Sequence, residues 1–207
     1  HGFNTTATIM YGHMEQYHHV ARHLLRIRGL QQRTAGFTEF VILPFIHMES
    51  PIYLKGKARK GPTFREAVLI HAISRLVLHP IFRNIQASWT KLGHEGVRAC
   101  LQAGVNDLGG TLMNETITRA AGAAHGQETS PEEMEDIIRS VGRTPRQRST
   151  TYGEVSELQR QKSFGAVAIV EPTYTSAKKY ERKKNRKKED LVRNEFEQEK
   201  LTSQDII

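Results

Sequence analysis

The 207-residue sequence predicts an α/β fold of parallel strand and helix units, four in succession, followed by a charged C-terminal extension. Short runs rich in β-branched and aromatic residues alternate with amphipathic helical stretches. Each strand-to-strand connection is long enough to hold a crossover, as parallel pairing requires. A hydrophobic content of 38% suits one ordinary domain.

The first strand is TTATIMY (Thr5 to Tyr11), ended by Gly12. In EQYHHVARHLLRIRG, Val20, Leu24, Leu25 and Ile27 fall near one helical face, and Gly29 is expected to stop the helix. FTEFVILPF (Phe37 to Phe45) is the second strand, broken at Pro44. EAVLIHAISRLVLH (Glu66 to His79) is the most apolar helix and ends at Pro80. RNIQASW (Arg83 to Trp89) reads as a third strand, with Gln86 and Ser88 on one face and Ile85, Ala87 and Trp89 on the other. EGVRACLQAG (Glu95 to Gly104) is the next helix, and VNDLGG (Val105 to Gly110) a short fourth strand. SPEEMEDIIRSVG carries a full start signal: Ser130 as cap, Pro131 at the first position, Glu133 at the capping-box position, and Gly142 past the end.

Four units argue for a parallel β/α architecture and are too few to close an eight-stranded barrel. An open doubly wound sheet is the alternative, although no glycine-rich phosphate fingerprint joins the first strand to the first helix. In a barrel the functional edge lies where strands hand over to helices. That places Tyr11, Gly12, His13 and Glu15 on one loop, Phe45, His47 and Glu49 on a second, Trp89 and Lys91 on a third, and Thr111 and Asn114 on a fourth.

Composition excludes several classes. No apolar run approaches the roughly 20 residues that span a bilayer. One cysteine, Cys100, rules out an internal disulfide and a cysteine-rich zinc site, and fits an intracellular, reducing compartment such as cytoplasm or organelle stroma. Cys100 falls inside a predicted helix, where a free cysteine is usually a packing residue. The net charge of +8 is concentrated late: residues 178–200 hold ten Lys/Arg against six Asp/Glu, a net +4. KKYERKKNRKKED (Lys178 to Asp190) reads as a solvated helix or disorder. Nucleic acid is not favoured, because neither aromatic interleaving nor a known module accompanies the charge. His19 and His23 have helical i, i+4 spacing, but Val20 stands where the glutamate of HExxH would be, so no metal site is assigned. The chain opens on His1 with no leader-like segment, and the expectation is that an upstream part is absent.

The strings TATIMYGHMEQ, LPFIHMESPIYLKGKARKGPTFREA, NIQASWTKLG, AGVNDLGGTLMNETITRAAGAAHGQE and GRTPRQRSTTYG occur in one order from His1 to about Gly153. They resemble the C-terminal half of the radical SAM barrel in the tyrosine-coupling enzymes of deazaflavin (FO) biosynthesis. Menaquinone-route relatives, aminofutalosine synthase and the futalosine cyclase, share TATIMYGH, NIQASW and NDLGGT, while LPFIHMESPIYLKGKARKGPTFREA favours the FO branch. The resemblance implies residues 1–153 as a partial barrel and 154–207 as a charged extension. For a complete enzyme it implies that a [4Fe-4S] cluster cleaves S-adenosylmethionine. The resulting radical takes hydrogen from tyrosine, and the p-hydroxybenzyl fragment adds to 5-amino-6-(D-ribitylamino)uracil.

The family's cluster motif, CxxxCxxC, has no counterpart in this chain, so the chain alone is expected to be inactive and to need the N-terminal half of its barrel. An FO-cyclising radical SAM domain is a further implied partner. The loop after the first strand resembles the adenine-contacting GxIxGxxE element: Ile9, Gly12 and Glu15 match, and Ala7 replaces the first glycine. Ile9, Tyr11, Gly12 and Glu15 are therefore cofactor candidates. Substrate candidates are His13, His47, Gln86, Ser88, Asn106, Asp107, Thr111 and Asn114, and Arg146 and Arg148 could pair with a carboxylate. No residue is singled out as catalytic. The remaining reading is a noncatalytic binding protein acting through the basic tail.

Overall fold

The computed structural model describes residues 2–168 and 171–176. Its elements run β1 (Thr5–Tyr11), α1 (Tyr17–Thr34), β2 (Phe37–Pro44), α2 (Pro51–Leu54), α3 (Phe64–Leu78), β3 (Ile85–Ala87), α4 (Trp89–Gln102), α5 (Ile117–Ala120), α6 (Pro131–Ser140) and α7 (Glu157–Phe164). The sheet is parallel in the order β1-β2-β3, with helices between successive strands. The α/β class with a parallel sheet is therefore as expected. The basic run Lys178–Asp190 lies outside the described residues.

Register separates the two faces of the sheet. Ala7, Phe40 and Ile85 form one row, and Ile9, Ile42 and Ala87 the next. These residues join Leu24 of α1, Ile70 and Leu78 of α3, Val97 and Cys100 of α4 and Ile137 of α6 in the main apolar core. The intervening row, Thr8, Val41 and Gln86, points to the opposite face, which also carries Thr6 and Glu39. Cys100 is fully buried, as its helical position predicted, and burial pushes its thiol pKa up to about 12.

Several boundaries differ from expectation. Helix α1 runs through Gly29 to Thr34 and is capped by Ala35 in the left-handed region. The added turn is held by Gln31, whose amide accepts from Phe37 N and donates to Phe37 O, both at 2.8 Å. Those two bonds offset the helical cost of glycine, about 1 kcal/mol. Strand β3 is shorter than Arg83–Trp89, because Trp89 already opens α4. Val105–Gly110 does not form a fourth strand, and its backbone pairs with β3 through one isolated bridge between Gln86 and Asp107. Its polar side chains turn the backbone away: Asp107 Oδ1 accepts from Gly109 N at 2.8 Å, and Gly109 has φ +77°.

Helix α3 starts two residues before the expected Glu66, with Thr63 and Glu66 forming a reciprocal capping box. Helix α6 has the expected Ser130–Glu133 box and Pro131 in its first turn. Helix α4 breaks at Gly93, where φ 66° and ψ 176° interrupt the helical path before Glu95. A Cβ at Gly93 would stand 2.8 Å from the His125 ring. Helix α7 is tied back by Arg160 to Glu135 at 2.7 Å and by a Gln147–Ser163 hydrogen bond at 2.9 Å.

Candidate functional site

The C-terminal ends of the three parallel strands carry three loops, and the segment after Val105–Gly110 brings a fourth beside them, the place where open or closed parallel folds put ligands. The first is self-organised. Glu15 Oε1 accepts from Gly12 N at 2.5 Å, and Oε2 accepts from His13 N at 3.0 Å and Met14 N at 3.2 Å. Burial acts to raise the Glu15 pKa, but the Gly12 and His13 amides outweigh it and hold the carboxyl below its ordinary value. His13 Nδ1 stands 2.9 Å from Glu15 Oε2, an ion pair whenever the imidazole is protonated.

Arg59 locks this loop to the segment before α3. Its backbone N donates to His13 O at 2.9 Å, its guanidinium pairs with Glu66 at 2.9 Å, and Glu15 lies 3.8 Å away. Gly12 and Gly61 form the close contact: Gly12 has φ +90°, and a Cβ there would stand 2.3 Å from Pro62 Cδ. In the second loop His47 lies edge-on to Tyr53 with ring centroids 4.7 Å apart. Burial and then the Lys60 charge lower the His47 pKa, favouring the neutral imidazole. Glu49 N donates to Ala121 O at 3.0 Å, joining the second loop to the fourth.

The third loop places Trp89 Nε1 on Gly110 O at 3.0 Å and Lys91 Nζ on Thr118 Oγ1 at 3.3 Å. Thr118 is itself fixed by Glu115, which accepts from its amide and hydroxyl. Thr111 O accepts from Thr129 N at 3.0 Å, and Asn114 is exposed at the rim.

The polar face of the sheet carries a second constellation. Asp107, 7% exposed, receives Arg148 Nη2 at 2.7 Å and Gln86 Nε2 at 3.3 Å on Oδ2, and the Tyr152 hydroxyl donates to the same oxygen. The Arg148 guanidinium lies 4.0 Å from the Tyr152 ring centroid. Burial first, and then the hydrogen bond to Asp107, raises the Tyr152 pKa, so the phenol stays protonated. Glu39, on the same face, accepts from the Thr6 hydroxyl at 2.5 Å through Oε1, and its buried Oε2 has no partner among the described residues.

The expected candidates therefore divide. Gly12, His13, Glu15 and His47 occupy the loops after β1 and β2, while Thr111 and Asn114 lie on the segment between α4 and α5, which follows no strand. Gln86 and Asp107 meet on the polar face, while Ser88 shares a 3.1 Å hydrogen bond with Thr90 at the start of α4. Ile9 and Tyr11 direct their side chains to the core side, leaving backbone on the outer edge of β1, the terminal strand of the sheet. Asn106 braces the scaffold through Arg75 at 2.6 Å and Ile85 N at 2.9 Å. Arg146 pairs with Glu154 and Arg148 with Asp107. The sequence reading missed Arg59, Glu39 and Tyr152. Only Arg59 left a signal, in its dense KGKARKGP context.

A [4Fe-4S] cluster does not fit this chain's own donors, since thiolate ligation needs several cysteines and Cys100 is buried in the core. Among the described residues no three His, Cys, Asp or Glu side chains gather to hold a metal ion. S-adenosylmethionine fits better, because β1 offers a backbone edge beside the Gly12 turn. Among the described residues no helix is long and apolar enough to cross a membrane.

Residues 34–161 match the family model described as the CofH/MqnC C-terminal region. The chain belongs to this family. Among similar proteins, FO synthase of Nocardia farcinica is 50% identical over 154 residues, covering 74% of this chain and 18% of that protein. The 5-amino-6-(D-ribitylamino)uracil--L-tyrosine 4-hydroxyphenyl transferase of Methanocaldococcus jannaschii is 50% identical over 151 residues, covering 73% of this chain and 42% of the relative. The transferase of the same name from Methanopyrus kandleri is 51% identical over 154 residues, covering 74% and 42%. The chain thus spans well under half the length of these curated relatives. The matched segment runs from the end of α1 into α7 and includes the second, third and fourth loops and the Asp107 constellation.

Proposed function

We propose that this chain forms the C-terminal wall of a radical SAM (β/α) barrel. That barrel couples the p-hydroxybenzyl part of tyrosine to 5-amino-6-(D-ribitylamino)uracil. The observation that carries the reading is the parallel sheet with one apolar, helix-covered face and one polar face, its loops converging at the strand ends. Half-identical relatives whose names state this transfer support it. The family description joins the FO and menaquinone branches, and the named relatives lie on the FO side.

When bound, S-adenosylmethionine and the cluster supply the radical chemistry. The cluster ligands come from the N-terminal half of the barrel. This chain's part is binding and orientation. The outer edge of β1 at Ile9 and the Gly12–Glu15 loop meet the nucleoside of the cofactor, with Tyr11 anchoring the strand end in the core. His13, His47, Gln86, Ser88, Thr111 and Asn114 line the substrate side, and Asn106 and Asp107 hold the wall in shape. Arg59, bridging Glu15 and Glu66, keeps the first loop from moving. An FO-cyclising domain supplies the following step, and a reducing compartment suits both the thiol and the cluster.

The test is complementation. The chain is co-produced with the part of the Methanocaldococcus jannaschii transferase that precedes the matched segment, and iron and sulfide are restored anaerobically. S-adenosylmethionine, tyrosine and the ribitylaminouracil are then added. A coupled hydroxybenzyl product by mass spectrometry is expected. Turnover of menaquinone intermediates in its place would overturn the assignment.

A further inference from the structure

Most charged side chains around the strand-end loops have partners of opposite charge or hydrogen-bonding complement. Glu15 is engaged by three amides of its own loop, Glu66 by Arg59 and the Thr63 amide, and Glu115 by Thr118. The two cations that the sequence offered for carboxylate recognition are also engaged, Arg148 by Asp107 and Arg146 by Glu154. Arg59 is held by Glu66 and the Gly61 carbonyl.

Lys91 differs. It sits in the first turn of α4, just beyond the end of β3, and is half-buried between the third and fourth loops. Among the described residues its ammonium has one hydrogen-bond acceptor, Thr118 Oγ1 at 3.3 Å, and no carboxylate oxygen within 4.0 Å. An ammonium carries three donors, so two remain. Burial lowers its pKa and the charge of nearby Glu115 opposes the fall, which marks an ammonium held out of water without a full counter-charge. A partly desolvated cation of this kind gains most from an anionic ligand that restores both charge and hydrogen bonds.

We infer that Lys91, steadied by Thr118, is the carboxylate-binding residue of this site, and that its ligand is the α-carboxylate of an amino acid. The inference rests on the proposed barrel, whose two amino-acid ligands are tyrosine and the methionyl group of the cofactor. Both present the same chemistry, and the experiment separates them. Lys91 binds and orients; it takes no part in bond making.

The assembled barrel, formed with the relative's preceding segment, is titrated calorimetrically with L-tyrosine and with tyramine, which lacks the carboxylate. A second pair is S-adenosylmethionine and its decarboxylated form. The wild type is expected to favour the carboxylate-bearing member of one pair by about 10- to 100-fold, the range of a hydrogen bond to a charged group. Lys91→Met should abolish that preference while leaving affinity for the decarboxylated member unchanged, which also shows that the site is still folded. Lys91→Arg should restore part of it. The pair that responds identifies the ligand. A preference that survives in Lys91→Met, or no preference in either pair, overturns the inference even if product forms. Lys91-dependent preference without any hydroxybenzyl transfer would leave the inference standing and refute the proposed reaction.

Discussion

Replacing Asp107 by alanine removes four acceptor contacts at once: those from the Gly109 amide, the Arg148 guanidinium, the Gln86 amide and the Tyr152 hydroxyl. Gln86 and Arg148 are partly exposed and recover water, so their loss is discounted. The Tyr152 hydroxyl and the Gly109 amide lose a charged partner in a half-buried setting, at about 1–3 kcal/mol each. A total of about 2–6 kcal/mol is expected, a range that includes the cost of breaking a buried pair by removing one member. Asp107→Asn keeps the shape and should cost less, and Tyr152→Phe about 1–2 kcal/mol. Urea unfolding measures the totals, and amide exchange over residues 148–153 reports whether that turn has come away from the sheet. Because Asp107 and Tyr152 touch, the double variant should fall well short of additivity. Loss below about 1 kcal/mol in Asp107→Ala, with unchanged exchange at 148–153, would refute the view that Asp107 anchors this turn.

Three further outcomes follow from the geometry. Gly12→Ala combines a left-handed backbone with a Cβ 2.3 Å from Pro62 Cδ, so thermal unfolding should report a loss of about 2–5 kcal/mol; a change within experimental error would show that the Pro62 contact yields freely. His71 is wholly buried with Nδ1 on Ala67 O, and burial lowers its pKa from 6.5 to about 4. The folded state therefore disfavours the charged imidazole. Stability is complete above pH 6.5 and declines by about 3 kcal/mol as pH falls towards 4; denaturation curves of His71→Leu should lack this part of the acid limb. Cys100, buried with its thiol raised to about 12, should react with a thiol reagent only as fast as the protein opens; rapid labelling of the folded chain would contradict its place in the core.

Where local chemistry decides the structure, the sequence is a good guide. The alternation in TTATIMY and the Ser130–Glu133 cap translate directly into β1 and the start of α6. Gly29 misleads because the residue that carries α1 past it, Gln31, acts through Phe37 on the following strand. Val105–Gly110 looks like a strand by composition, yet Asn106 and Asp107 direct its ends into side-chain bonds. Of the site, the strand-end positions of Gly12, Glu15 and His47 are readable once the strands are placed. The pairing of Tyr152 and Arg148 with Asp107 is not, since their partner is more than forty positions away and nothing local marks it.

The Glu15 loop also fixes what the first strand end can refuse. Successive amides at a turn after a strand form an electropositive nest that ordinarily captures phosphate. Here the chain fills that nest with its own carboxylate, drawing in the amides of Gly12, His13 and Met14. An outside anion at this turn would meet the Glu15 carboxylate already on those amides. A nucleoside without phosphates meets no such opposition. The three amides of this turn are thus satisfied inside the chain, and the strand end is neutralised by its own carboxylate before any ligand contact is made.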